Sequence, residues 1–171
     1  MDPSAQELLV PPIILQLADA CRAVRAHCPF GGREATFQAM LETEARLRGL
    51  TTQREVIRGM RYKGIPLGNN TSIREDLVVS SQLDTVVVEL KVAKRLEHRD
   101  FQQICRYLLD RGSGSHGLLV CFGDTCDEAW YVTVGAAQTG ECRMQRARVL
   151  HDEFQQPEIW THGTFDTNGS V

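Results

Sequence analysis

The chain has 171 residues, enough for one domain with a real core, and its 42% hydrophobic and 24% charged content is that of an ordinary globular protein. Its formal net charge of −3 excludes a general electrostatic attraction to polyanions, so any nucleic-acid contact must rest on local charge. No charged-then-apolar leader of the secretory kind opens the chain, and Val10–Leu17, the best apolar run, is too short for a bilayer and contains Pro11, Pro12 and Gln16.

An intracellular protein without membrane contact is therefore expected. The six cysteines, at 21, 28, 105, 121, 126 and 142, form no CxxC pair, and reduced, mostly buried thiols are expected rather than zinc ligands or disulfides.

Residues 1–10 read as a leader, 11–154 as one domain and 155–171 as a tail. Pro11-Pro12 opens a helix to about His27, with Ile14, Leu17, Ala18, Cys21 and Val24 at helical spacing. Cys28-Pro29-Phe30-Gly31-Gly32 breaks it, and a second helix is expected from about Arg33 to Arg48, with Gly49 as its stop. From Thr51 the pattern turns strand-like and basic, carrying Arg54, Arg58, Arg61 and Lys63. A solvated face explains such a run, and so does a surface that tracks phosphates, with Arg54 and Arg58 as its candidates.

Two strand-like runs follow, Ile73–Val79 and Val86–Val92, joined by a loop near Ser80–Thr85. Each carries charge that a structural strand does not require. Side chains alternate along a strand, so Glu89 and Lys91 face one way and Leu90 the other. Paired as a hairpin, the runs bring Asp76 close to Glu89. Two carboxylates and an ammonium at one spot suit a hard cation beside a phosphate, although a cross-strand ion pair has the same residues.

A third helix is expected over His98–Asp110, then a buried strand over His116–Phe122 and further strands over Ala129–Val134 and Cys142–Leu150. Helix, helix, strands, helix, strands specifies an α/β or α+β fold: a mixed sheet flanked by helices.

Motifs recur along this order. Gly31-x-x-Glu34-x-x-Phe37 heads the second helix, and Glu44–Leu50 reads E-A-R-L-R-G-L. Tyr62-Lys63-Gly64, Arg74-x-Asp76-Leu77, Val88-Glu89-Leu90-Lys91, Gln103–Leu108 and Gly117–Gly123 complete the series. Over residues 13–123 the chain resembles the GxxExxY family of the PD-(D/E)XK nuclease superfamily. Phe37 stands where the family name has tyrosine, and the loop between Asp76 and Glu89 is a few residues longer.

The resemblance implies a restriction-endonuclease-like core and an endonuclease-type hydrolase acting on nucleic acid, DNA foremost. It implies Mg2+ (or Mn2+) held by Asp76, Glu89 and the Leu90 carbonyl, with Lys91 beside the attacked phosphate. It also brings in Glu34 and Gln103 as supporting catalytic residues, and Arg74, which shares a strand face with Asp76, is expected as a phosphate contact. Glu34 also suits a helix start, Tyr107 the core, and Arg74 a plain ion pair. The competing class is a binding module: a nuclease fold kept as a nucleic-acid- or protein-binding subunit, as a homo-oligomer or in a larger assembly. It would bind without needing metal or these carboxylates.

Overall fold

The computed structural model describes residues 9–29, 31–63, 65–68, 71–112, 114–123, 127–136 and 142–150. The expected tail, residues 155–171, and all of the expected leader except Leu9 and Val10 lie outside them. Helix α1 (Pro12–His27) starts with proline in its first turn, where a missing N–H goes unused, and buries Ile13, Ile14, Leu17, Cys21 and Val24. Helix α2 (Glu34–Leu47) buries Phe37, Leu41 and Ala45 and ends at Gly49, whose φ of +77° lets the Leu50 amide reach back to the Ala45 carbonyl. Helix α3 (His98–Arg111) opens on a capping box in which the Glu97 and Asp100 side chains each take the other residue's amide. No helix among the described residues is long and apolar enough to cross a membrane.

The strands are β1 (Thr51–Gly59), β2 (Arg61–Tyr62), β3 (Ile65–Pro66), β4 (Ser72–Ser80), β5 (Thr85–Val92), β6 (His116–Phe122), β7 (Asp127–Ala136) and β8 (Cys142–Arg148). Six form one sheet in the order β1-β4-β5-β6-β7-β8, while β2 and β3 make a separate small hairpin. Every pairing within the large sheet is antiparallel except β5 with β6, which α3 connects as a crossover. This is the expected mixed sheet with helices on both faces.

The two faces bury different sets. One, under α1 and α2, holds Leu77, Val79, Val86, Val88, Leu90, Leu118, Val120 and Phe122; Phe37 stacks on Phe122 at 4.4 Å, so its ring packs in the core. The other, under α3, holds Ile73, Val87, Leu119, Val132 and Met144 against Phe101, Ile104 and Leu108. Gly117 brings α3 in close: a Cβ there would stand 2.9 Å from Ile104 and 3.0 Å from Leu108.

One irregularity shapes the site. Ile73 belongs to the α3 side, and Glu75 bonds Arg111 of α3, yet Leu77 and Val79 lie on the opposite face. Regular alternation would keep all four together. The change-over falls at Asp76. The ladder between β1 and β4 runs from Thr51–Ser80 to Arg54–Leu77, skips one pair, and resumes at Val56–Glu75. The skipped residue on β1 is Glu55, with φ +50°, a conformation that side chains rarely adopt.

Candidate active site

The β4–β5 ladder pairs Ser80 with Thr85, Val79 with Val86, Val78 with Val87 and Leu77 with Val88. One step further, in the same register, Asp76 comes opposite Glu89, but there the strands stop pairing and open. Asp76 Oδ2 instead accepts the Leu90 N–H at 3.2 Å. From α2, Gln38 Nε2 donates to the Asp76 carbonyl at 2.5 Å, so the aspartate is held through both its side chain and its backbone.

Glu89 is 1% exposed. Its Oε1 accepts from Lys91 Nζ at 2.6 Å and from Gln103 Nε2 at 2.7 Å. Gln103, on α3, also accepts from Lys91 through Oε1 at 3.2 Å and donates to the Tyr107 hydroxyl at 2.6 Å. Glu89 Oε2 is buried with no hydrogen-bond partner. A buried carboxylate oxygen left open is costly unless something else fills that position.

The electrostatics follow from this packing. Burial pushes the Glu89 carboxyl up to about 7, and the Asp76 charge adds to the rise against the pull of Lys91. Burial likewise raises Asp76, opposed by the Leu90 amide. For Lys91 burial acts downward but is outweighed by the bond to Glu89 and the charges of Glu89, Asp76 and Glu34, so its ammonium is held above the ordinary range. Lys91 therefore stays a cation.

A cleft of about 720 Å3 gathers Glu34, Arg74, Asp76, Glu89, Lys91 and Gln103. Glu34 stands exposed in the first turn of α2, close enough to act on Glu89 and Lys91 by charge. Arg74 forms an ion pair with Glu55, Nε to Oε2 at 2.9 Å. The strand alternation that would give Arg74 and Asp76 a shared face is broken between them, yet both line the cleft. For Leu90 the observed link is the amide to Asp76; its side chain is buried in the core under α1 and α2.

Arg54 and Arg58, the other expected phosphate contacts, do not line this cleft. Arg54 lies 3.6 Å from Glu42, and Arg58 lies 3.5 Å from Asp110 and 3.8 Å from Glu75. Both of these arginines answer carboxylates that the fold has largely buried, and that accounts for much of the basic run on β1.

Other residues at the site went unread in the sequence. Gln38 interrupts the apolar stripe of α2, a polar residue beside Phe37, and that was its one signal. Arg99, Gln102 and Arg106 line the cleft from α3, four and three residues either side of Gln103 in the case of the arginines.

Among the described residues no three His, Cys, Asp or Glu side chains lie close enough to enclose a metal by themselves. Magnesium does not need three. It keeps several waters and is held by one or two carboxylates together with substrate phosphate, and an open, buried Glu89 oxygen opposite Asp76 suits it.

The comparisons agree with this geometry. A family model of the PD-(D/E)XK nuclease superfamily matches residues 12–132, more than half of the chain, running from the first turn of α1 into β7 and so beyond Gly123. No curated protein and no solved structure gives a significant match.

Proposed function

The chain belongs to the PD-(D/E)XK nuclease superfamily, and from that premise we propose that it is a divalent-metal-dependent phosphodiesterase that hydrolyses nucleic acid, with DNA as its substrate. The run Gly31-x-x-Glu34-x-x-Phe37 and the motifs after it support the narrower GxxExxY assignment. One observation carries the reading: Glu89 is buried beside Lys91 and Gln103, opposite Asp76, with one oxygen that nothing in the described chain satisfies.

Asp76, Glu89 and the Leu90 carbonyl would hold Mg2+ or Mn2+. The bound ion supplies charge to a phosphoryl oxygen and makes water acidic enough to attack near neutral pH. The chain's own residues do the rest. Lys91, cationic and aimed by Glu89 and Gln103, offsets negative charge that grows on the phosphate and orients the attacking water. Gln103 ties the ammonium to the carboxylate and sets the angle of both. Gln38 and the Leu90 amide keep Asp76 in place before substrate arrives, so little reorganisation is left for the reaction itself. Glu34 adds charge at the mouth, and Arg74 is the rim contact for phosphate.

The test is Asp76→Asn, which keeps the shape of the side chain and removes its charge. Cleavage of plasmid or oligonucleotide with Mg2+ or Mn2+ should fall to background, with the thermal melt shifted by no more than a few degrees. Cleavage that persists unchanged would sink the proposal. Salt-sensitive binding that needs neither metal nor Asp76, with no cleavage by the wild type, would make the chain a binding module instead.

A further inference from the structure

A nuclease needs charge along the strand as well as at the bond it cuts, and the arginines on β1 are committed to carboxylates. The cleft has other cations. Arg99 and Arg106 lie seven residues apart on α3, which is two turns, and both line the cleft together with Gln102 and Gln103. Arg106 is exposed and has no carboxylate partner among the described residues. Arg99 is 78% exposed, and its one partner is Glu97, two residues away and itself half exposed. An exposed pair of that kind contributes little and gives way readily to a phosphate, which a guanidinium binds through two hydrogen bonds.

The spacing is informative. Seven residues of helix rise about 10 Å, and three steps of a nucleic-acid strand cover about the same length. Gln103, bonded to Glu89 and Lys91, falls between the two arginines on the helix. We infer that one nucleic-acid strand lies along α3, with Arg99 and Arg106 gripping phosphates about three steps apart and the phosphodiester to be cut lying between them, abreast of Gln103. Asp76 and Glu89 line the cleft from the strands, and Arg99 and Arg106, beside Asp100, line it from α3. A strand is thereby drawn in by the arginines and admitted to the carboxylates only when a cation neutralises them. This rests on the proposed nuclease reading and adds where the substrate runs and which residues hold it.

The test separates the two. Binding of a fluorescent single-stranded oligonucleotide is followed by anisotropy against KCl, with Ca2+ in place of Mg2+ to hold back cleavage. Compared are the wild type, the double variant Arg99→Gln/Arg106→Gln, and Arg54→Gln as a control outside the cleft. Each phosphate contact contributes about 0.7 to the slope of log affinity against log salt on a single strand. The double variant should bind at least about tenfold more weakly at low salt and lose about 1.4 from the slope, with an unchanged melting temperature. Arg54→Gln should keep the wild-type slope. A double variant with the wild-type slope and affinity, in a protein that binds and cleaves, overturns this inference and leaves the nuclease reading standing. A slope that falls as much in Arg54→Gln as in the double variant also overturns it. A wild type that neither binds nor cleaves nucleic acid overturns both.

Discussion

Two glutamates on neighbouring strands, Glu75 on β4 and Glu89 on β5, are 0% and 1% exposed. Their surroundings differ in one respect. Arg111 reaches Glu75 with two parallel bonds, Nε to Oε1 at 2.8 Å and a terminal nitrogen to Oε2 at 2.6 Å, so both of its oxygens are satisfied from within the chain. Glu89 has two donors on Oε1 and none on Oε2. Buried charge is thus no mark of a working site by itself. Glu75 joins the last turn of α3 to the sheet, and the carboxylate with an open oxygen is the one equipped to take a ligand.

The sharpest way to break this contrast is to remove each charge in turn. Glu89→Gln should abolish metal-dependent cleavage while changing the stability by about 1 kcal/mol or less, because it deletes a charge that burial already opposes. Glu75→Gln should do the opposite: it strands the Arg111 guanidinium and lowers stability by about 3 kcal/mol in urea melts, with cleavage retained in the fraction that folds. Similar losses of stability in both variants would erase the distinction.

A smaller effect is expected at Gln103, which touches Glu89 and Lys91 without being a metal ligand. Gln103→Ala should weaken metal affinity or activity by about 10- to 100-fold, the range typical of residues that orient ligands, with little change in the melt. Calorimetric titration of Mn2+ reads the first and cleavage rates the second. An unchanged Mn2+ affinity and rate would mean that Lys91 and Glu89 hold their positions without it.

The gentlest probe is pH. The Glu89 carboxyl rises to about 7 in the folded chain from an ordinary value of 4.5. Between those values the native state keeps a proton that the unfolded chain has released. In chelator, stability should therefore fall as pH climbs through that window, then level off. Metal prefers the ionised carboxylate, so added Mg2+ should stabilise the protein more above pH 7 than near pH 5. Asp76→Asn removes a charge that helps raise Glu89 and should move the window down; urea melts across pH read both effects.

Much of this was legible in the sequence, for identifiable reasons. Pro11-Pro12 and the Gly49 stop mark helix ends by local chemistry, and α1, α2 and α3 begin within a residue of their expected starts. The pairing of Asp76 with Glu89 follows from hairpin register, a property of short range. Glu75 was not legible, because alternation assigns it to the face away from Asp76. Alternation along β4 breaks at Asp76, opposite the positive φ of Glu55 on β1, and nothing in the local sequence announces it. The ion pairs of Arg54 and Arg58 were not legible either: Glu42 sits on α2 and Asp110 on α3, and only the fold brings them to β1. Leu109, which suits the apolar stripe of α3, is half exposed, while Tyr107 is buried with its hydroxyl bonded to Gln103. Charge partners and fine rotation of a helix are tertiary facts.

The lone parallel pairing, β5 against β6, bears on the order in which the chain can assemble. β4 with β5, and β6 with β7, are neighbours in sequence and need only a short connection to meet. Joining the two halves requires closing the whole crossover that contains α3, and the entropy of that closure must be spent before its contacts return anything. Lys91 lies at the end of β5, where this crossover starts, and Gln103 lies within it, on α3. Asp76, Glu89 and Lys91 are brought together by the short β4–β5 hairpin, whereas Gln103 joins them only through the docking of the crossover helix.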